Sequence, residues 1–163
     1  MELDVVVEVP TGSRNKYEMD HQLGRIRLDR TLFTATQYPA DYGFVPDTLA
    51  EDGAPLDALV LVAEPTFPGC QIEVRPVGLF WMRDEDGDDL KLLCVPAHDP
   101  RRQHVQELTD LPEHLLSEIA HFFDVYKALE PDKPTEILGW HGREQAEQAV
   151  VDARTRAAAQ PSR

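Results

Sequence analysis

The sequence predicts an α+β fold, a small barrel or strongly curled sheet with helices packed on its outside. Three features carry this reading. Apolar residues recur with the period of extended chain up to about residue 95, breaks bearing Gly or Pro separate those stretches, and a helical period takes over beyond about residue 110. A chain of 163 residues suits one domain, 1–163, since that length buries about two-thirds of the surface its unfolded form exposes.

The first strand is Leu3 to Val9, whose alternation sets Leu3, Val5, Val7 and Val9 on one face and Asp4, Val6 and Glu8 on the other. Pro10-Thr11-Gly12 breaks it. Asn15 to Met19 forms a second extended piece with Lys16 and Glu18 on the same side, and the Leu23-Gly24 turn leads into Arg25 to Arg30. Arg30 shares parity with Ile26 and Leu28. A guanidinium on an apolar face must reach a partnered pocket or its rim, which makes Arg30 a candidate anion ligand unless the strand has already ended. Asp57 to Ala63 is a continuous apolar run of strand length, expected to be covered on both faces with Asp57 at its mouth. Strands follow at Ile72 to Met82 and Leu90 to Val95, joined through a hairpin containing Asp86-Gly87.

The helical half begins with Leu115, Leu116, Ile119, Phe122, Phe123, Tyr126 and Leu129 on one face, with Asp110 and Glu113 as the capping pair and Pro131 as the stop. A second helix, from about Arg143 to Ala159, has only a modest face of Ala146, Ala149, Val150, Ala153 and Ala157. The tail from Gln160 to Arg163 is expected to fray.

Composition narrows the function. A net charge of −14 opposes binding to a bare phosphate backbone, so no nucleic-acid partner is expected. The same charge repels any small polyanion unless divalent cations stand between it and the carboxylates. No apolar run reaches the length of a membrane span, and the chain enters its first strand without an export signal, so a cytoplasmic location and no membrane partner are expected. Cys70 and Cys94 lie in apolar stretches without Cys-x-x-Cys spacing and read as buried thiols. The six histidines show no metal-ligand spacing, and there is neither a phosphate loop nor a nucleophile elbow.

The acidic segments are more informative. Glu51 to Asp57 holds carboxylates in a Gly- and Pro-shaped loop beside a buried strand. Asp84 and Asp89 flank the second acidic hairpin, and oxygen-only ligation of this kind suits hard ions such as Mg2+. The hairpin departs from a calcium loop because Gly87 falls too early. Taken alone, each acidic segment is more often a solvated turn, and Tyr126-Lys127 more often core and surface.

Together, these pieces resemble the soluble family I inorganic pyrophosphatases. The resemblance rests on Val7-Glu8-Val9-Pro10, Asn15-Lys16-Tyr17-Glu18, Leu28-Asp29-Arg30, Tyr38-Pro39-Ala40-Asp41-Tyr42-Gly43-Phe44, the loop Asp52 to Asp57, Asp84 with Asp89 and Lys91, and His121-Phe122-Phe123 leading to Tyr126-Lys127. It implies an OB-like five-stranded β-barrel flanked by two main helices, a homohexamer, and hydrolysis of pyrophosphate to two phosphates with several Mg2+ ions per site, Mn2+ or Zn2+ being possible replacements. By that likeness Asp52, Asp57 and Asp89 hold a first metal, Asp57 also binds a second, Asp84 with Asp89 a third, and Glu8 a metal that arrives with substrate. Lys16, Arg30, Tyr42, Tyr126 and Lys127 hold phosphate oxygens, and Glu18, Tyr38 and Lys91 support the site. The chain departs from the family pattern once: the loop normally reads Asp-Gly-Asp-Pro, its second aspartate facing the nucleophilic water, and here that residue is Ala54. The proton acceptor then falls to Asp89, preferred, or Asp57. Turnover is expected to be slowed, the alternative being a protein that binds metal and pyrophosphate or phosphate without hydrolysis.

Overall fold

The computed structural model describes residues 1–131 and 134–161. Its strands are β1 (Leu3–Val9), β2 (Asn15–Asp20), β3 (Arg25–Thr31), β4 (Asp41–Phe44), β5 (Asp57–Val60), β6 (Gln71–Asp84), β7 (Gly87–Pro96) and β8 (Glu136–His141). The helices are α1 (Glu113–Val125) and α2 (Arg143–Ala159). The main sheet runs in the order β1-β4-β5-β7-β6-β8, and β1 also pairs with β6. That extra pairing closes β1, β4, β5, β7 and β6 into a five-stranded barrel, removing two exposed edges. The OB-like α+β architecture is therefore present, with β8 added outside the ring on β6 and β2–β3 standing as a separate hairpin. No helix among the described residues is long and apolar enough to cross a membrane.

Both faces of the sheet are buried, as the apolar run at β5 predicts. Leu59 and Leu61 join a layer with Phe80, Leu93, Ile119, Phe122, Phe123 and Tyr126 beneath α1. Ala58 and Val60 join a second layer with Leu79, Leu92, Cys94, Ala146, Val150 and Ala153 beneath α2. The period of two thus sends alternate residues of one strand to opposite cores. Asp57 has the parity of Leu59, and Asp89 and Lys91 have the parity of Leu93, so all three belong to the α1 side.

Several expectations need correction. Val9 joins the layer under α1 while Leu3 and Val5 join the layer under α2, because the register of β1 against β4 shifts between Val7 and Val9 and an inserted residue reverses the parity. Ile26 and Leu28 do not form a buried face, Leu28 being 57% exposed, since β2–β3 projects as a two-stranded ribbon. Asp110 does not cap α1: its carboxylate accepts the backbone N–H groups of Gln106 and Glu107, both at 2.9 Å, around a 3-10 turn, and α1 starts after Pro112. The helix ends at Val125, before Leu129, which is 74% exposed. Cys94 is buried but Cys70 is only half-buried. Of the tail expected to fray, Ser162 and Arg163 lie outside the described residues.

Two strands escape the periodicity altogether. β4 is four residues long and contains Gly43, where a Cβ would lie 1.9 Å from the Val6 carbonyl oxygen, so only glycine allows β1 and β4 to approach. In β8, Gly139 takes φ 114°, a left-handed value that interrupts the alternation where the pairing with β6 shifts register.

Candidate active site

The barrel brings a cluster of charges to the α1 side of the sheet. β5 and β7 are parallel neighbours, and their register places Asp57 opposite Lys91. Lys91, 1% exposed, donates to Asp57 Oδ2 at 3.0 Å, to both oxygens of Asp89 at 3.2 and 3.1 Å, and to the Tyr42 hydroxyl at 2.7 Å. Its ammonium also lies 5.0 Å from the centres of the Tyr42 and Phe123 rings. Burial alone would depress the Lys91 pKa, but Asp57 and Asp89 outweigh it and hold the ammonium protonated, well above its ordinary value. Asp57 is raised to about 6 by burial and the Asp89 charge, with Lys91 opposing.

Around this centre, a pocket of about 160 Å3 is lined by residues from distant parts of the chain. β1 supplies Glu8, β2 supplies Lys16 and Glu18, and the segment entering β4 supplies Tyr38 and Tyr42. The loop before β5 adds Asp52 and Ala54, and the end of α1 adds Tyr126 and Lys127. Glu8 is 7% exposed and accepts the Met19 N–H at 2.7 Å; burial, with the charges of Asp57 and Glu18, raises its pKa to about 7. Burial likewise pushes the hydroxyls of Tyr38, Tyr42 and Tyr126 upward, keeping them neutral donors. Lys127 is lowered by burial and by Lys16, an offset that Asp84 partly opposes.

Eleven of the residues expected from sequence therefore converge: Glu8, Lys16, Glu18, Tyr38, Tyr42, Asp52, Asp57, Asp89, Lys91, Tyr126 and Lys127. Arg30 and Asp84 do not line the pocket. Arg30 bonds to Asp29 and to Glu130 at 3.2 Å, while its buried Nε has no hydrogen-bond partner among the described residues. Asp84 closes β6 and accepts the Asp86 N–H at 2.9 Å. Asp52 is exposed although its loop leads into the buried strand β5; its carboxylate accepts the Ala54 N–H at 3.0 Å and Gly53 supplies the left-handed turn at φ 88°. Sequence reasoning assigned no role to Tyr17 or Phe123, which line the pocket, or to Asp29 and Glu130, which hold Arg30. Tyr17 and Phe123 stand inside noted motifs, but nothing local points to Glu130, which is 100 residues from Arg30.

The donor set fits hard divalent cations. It offers carboxylates, two of them, Glu8 and Asp57, raised in pKa by burial, with Lys91 alone among the described residues bridging Asp57 and Asp89, and a dication would relieve that excess of negative charge. Among the described residues, the one group whose ligand atoms already lie within 4.8 Å of one another is elsewhere, at exposed Glu2, Glu73 and His98. Oxygen ligands for cations, bordered by lysines and tyrosine hydroxyls, are the equipment of a metal-dependent phosphoryl hydrolase.

Comparison with known proteins gives the particular family. The inorganic pyrophosphatase family model matches residues 5–158. The chain is 59% identical to an inorganic pyrophosphatase of Streptomyces coelicolor over 150 residues, 92% of each protein, and 56% identical over 147 residues to one from Leifsonia xyli, 90% of each. The crystal structure of the inorganic pyrophosphatase from Thermus thermophilus superposes with a TM-score of 0.94 at 50% identity, covering 96% of this chain and 91% of that one. This chain belongs to the soluble family I inorganic pyrophosphatases, hydrolases that depend on divalent metal.

Proposed function

We propose that the pocket beneath α1 hydrolyses inorganic pyrophosphate to two phosphates with Mg2+ as its metal, Mn2+ or Zn2+ serving as replacements. The observation that carries this reading is the convergence of Glu8, Asp52, Asp57 and Asp89 with Lys16, Lys91, Lys127, Tyr42 and Tyr126 in one pocket of a chain from this family. Bound dications would supply charge neutralisation and a lowered pKa for water. Glu8, Asp52, Asp57 and Asp89 would hold them, with Asp84 at the hairpin end. Lys16, Lys127 and the hydroxyls of Tyr42 and Tyr126 orient phosphate oxygens, and Arg30 would join them on exchanging its bonds to Asp29 and Glu130 for substrate. Glu18 and Tyr38 border these groups, and Lys91 fixes the spacing of Asp57 and Asp89. Phosphoryl transfer gains chiefly from such positioning and charge complementarity.

Asp89 is the preferred proton acceptor and Asp57 the second, since Ala54, which lines the pocket, has no side chain able to take a proton. That same residue favours the alternative of binding without turnover. Phosphate release from magnesium pyrophosphate decides between them. The wild type should release phosphate, and Ala54→Asp should accelerate it by up to about 10²- to 10⁴-fold, the usual contribution of a positioned base. Pyrophosphate binding with no release by either protein would establish the alternative. A cytoplasmic homohexamer completes the proposal, and light scattering tests the subunit number.

A further inference from the structure

The loop that carries Asp52 and Ala54 has little beneath it. On the α2 side of the sheet, a cavity of about 310 Å3 is lined by Ala50, Glu51, Leu56, Leu90, Ala149 and Arg156. Leu56 and Leu90 turn into it, while their neighbours Asp57 and Lys91 turn into the candidate site. The loop's position therefore depends on polar ties at its root more than on packing from below.

The root is tied across itself, Val45 N–H donating to the Leu56 carbonyl at 2.9 Å and Leu56 N–H to Thr48 Oγ1 at 3.0 Å, and the hydrogen bonds that reach α2 converge on Leu49. Its N–H donates to the Ala153 carbonyl at 3.0 Å, and its own carbonyl accepts from Arg156 Nη1 at 2.9 Å. One residue of the loop is thus held through both backbone groups by adjacent turns of α2. Arg156 Nη2 also lies 3.7 Å from Glu51, although both side chains are exposed enough that this pair adds little. Beyond the clamp, the loop closes on itself: Ala50 N–H reaches the Ala54 carbonyl at 2.7 Å, and Gly53 N–H the Ala50 carbonyl at 3.1 Å. Displacing Leu49 consequently displaces Asp52 as part of one small unit.

We infer that Arg156 is a positioning residue, clamping Leu49 so that the Asp52 loop stays on the wall of the pocket that it shares with Asp57 and Asp89. The inference rests on the proposed metal role of Asp52, but the clamp itself can be tested apart from it. In metal-free protein, Arg156→Ala should speed amide hydrogen exchange within residues 49–54, and Arg156→Lys, whose amine reaches the same carbonyl, should restore part of the protection. Calorimetry with Mg2+ should show affinity weakened by about two- to ten-fold in Arg156→Ala, the worth of one hydrogen bond. Turnover at saturating Mg2+ should stay within about two-fold of wild type.

Val150→Ala is the control. It thins the packing under α2 at a fully buried position and should lower the unfolding temperature without moving the Mg2+ midpoint. Unchanged exchange at residues 49–54 in Arg156→Ala would overturn the clamp, as would an equal Mg2+ shift in Val150→Ala. If the wild type releases no phosphate, the functional proposal fails and the exchange measurement still decides the clamp.

Discussion

Replacing Lys91 with methionine keeps an unbranched apolar stem of four atoms and removes the ammonium that, among the described residues, bridges Asp57 and Asp89. The ammonium lies 3.0 Å from one carboxylate and 3.1 Å from the other. Hydrogen bonds to charged groups contribute about 1.5–3 kcal/mol each, so the two together set a scale of about 3–6 kcal/mol. Breaking a buried pair from one side typically costs about 3–5 kcal/mol. Because the carboxylates are 28% and 17% exposed, the lower part of that range applies, about 3 kcal/mol at pH 7.5 without metal. At pH 5, below the Asp57 pKa of about 6, Asp57 is mostly protonated in the wild type too, and the deficit should fall by about half. Urea unfolding of both proteins in chelator, at the two pH values, measures this difference. A deficit under about 1 kcal/mol at pH 7.5, or one that does not change with pH, would refute the view that Lys91 holds two charged groups together.

Metal-free wild type should itself lose stability as pH rises. The folded pKa values of Glu8, about 7, and Asp57, about 6, exceed their ordinary values of 4.5 and 3.8, so the stabilisation is complete below about pH 4 and is lost as pH climbs through 6 and 7. Thermal unfolding in chelator should therefore move downward from pH 5 to pH 8, and Mg2+ should reverse the trend at pH 8; a midpoint that rises across that interval contradicts it. Gly43→Ala sets a Cβ against the Val6 carbonyl at 1.9 Å and should cost about 3 kcal/mol or more, read as loss of soluble protein or of a cooperative transition. Asp89→Asn at saturating Mg2+ should slow phosphate release by about 10²- to 10⁴-fold, and near-full turnover would remove Asp89 as proton acceptor.

The sequence made the barrel legible where one physical rule governed a segment. The both-faces burial of β5, the span of α2 and the Asp-Gly hairpin follow from local patterning, and each stands where it was expected. Reading failed where a neighbour intervened. The bulge in β1 reversed Val9, the ribbon exposed Leu28, and β4 is visible only as a motif because four residues carry no usable period. Convergence of the site residues could be anticipated only through resemblance, since no spacing rule brings Glu8 and Lys127 together. The central placement of Lys91, reached by two carboxylates and a hydroxyl from three strands, is a consequence of sheet register alone. Arg30 shows the opposite case: its partner Glu130 is supplied from so far along the chain that nothing near either residue announces it.

The one parallel pairing in the barrel has a consequence for assembly. Antiparallel neighbours can zip together as the chain emerges, but β5 meets β7 only after β6 has been laid down and turned back. Asp57 must therefore wait for residue 91 before it acquires its counter-ion, and a nascent chain ending short of β7 exposes an acidic strand mouth with nothing to balance it. The proposed metal site would exist only in the finished barrel, so a divalent cation binding there would draw the population toward the folded form by mass action without guiding the early steps.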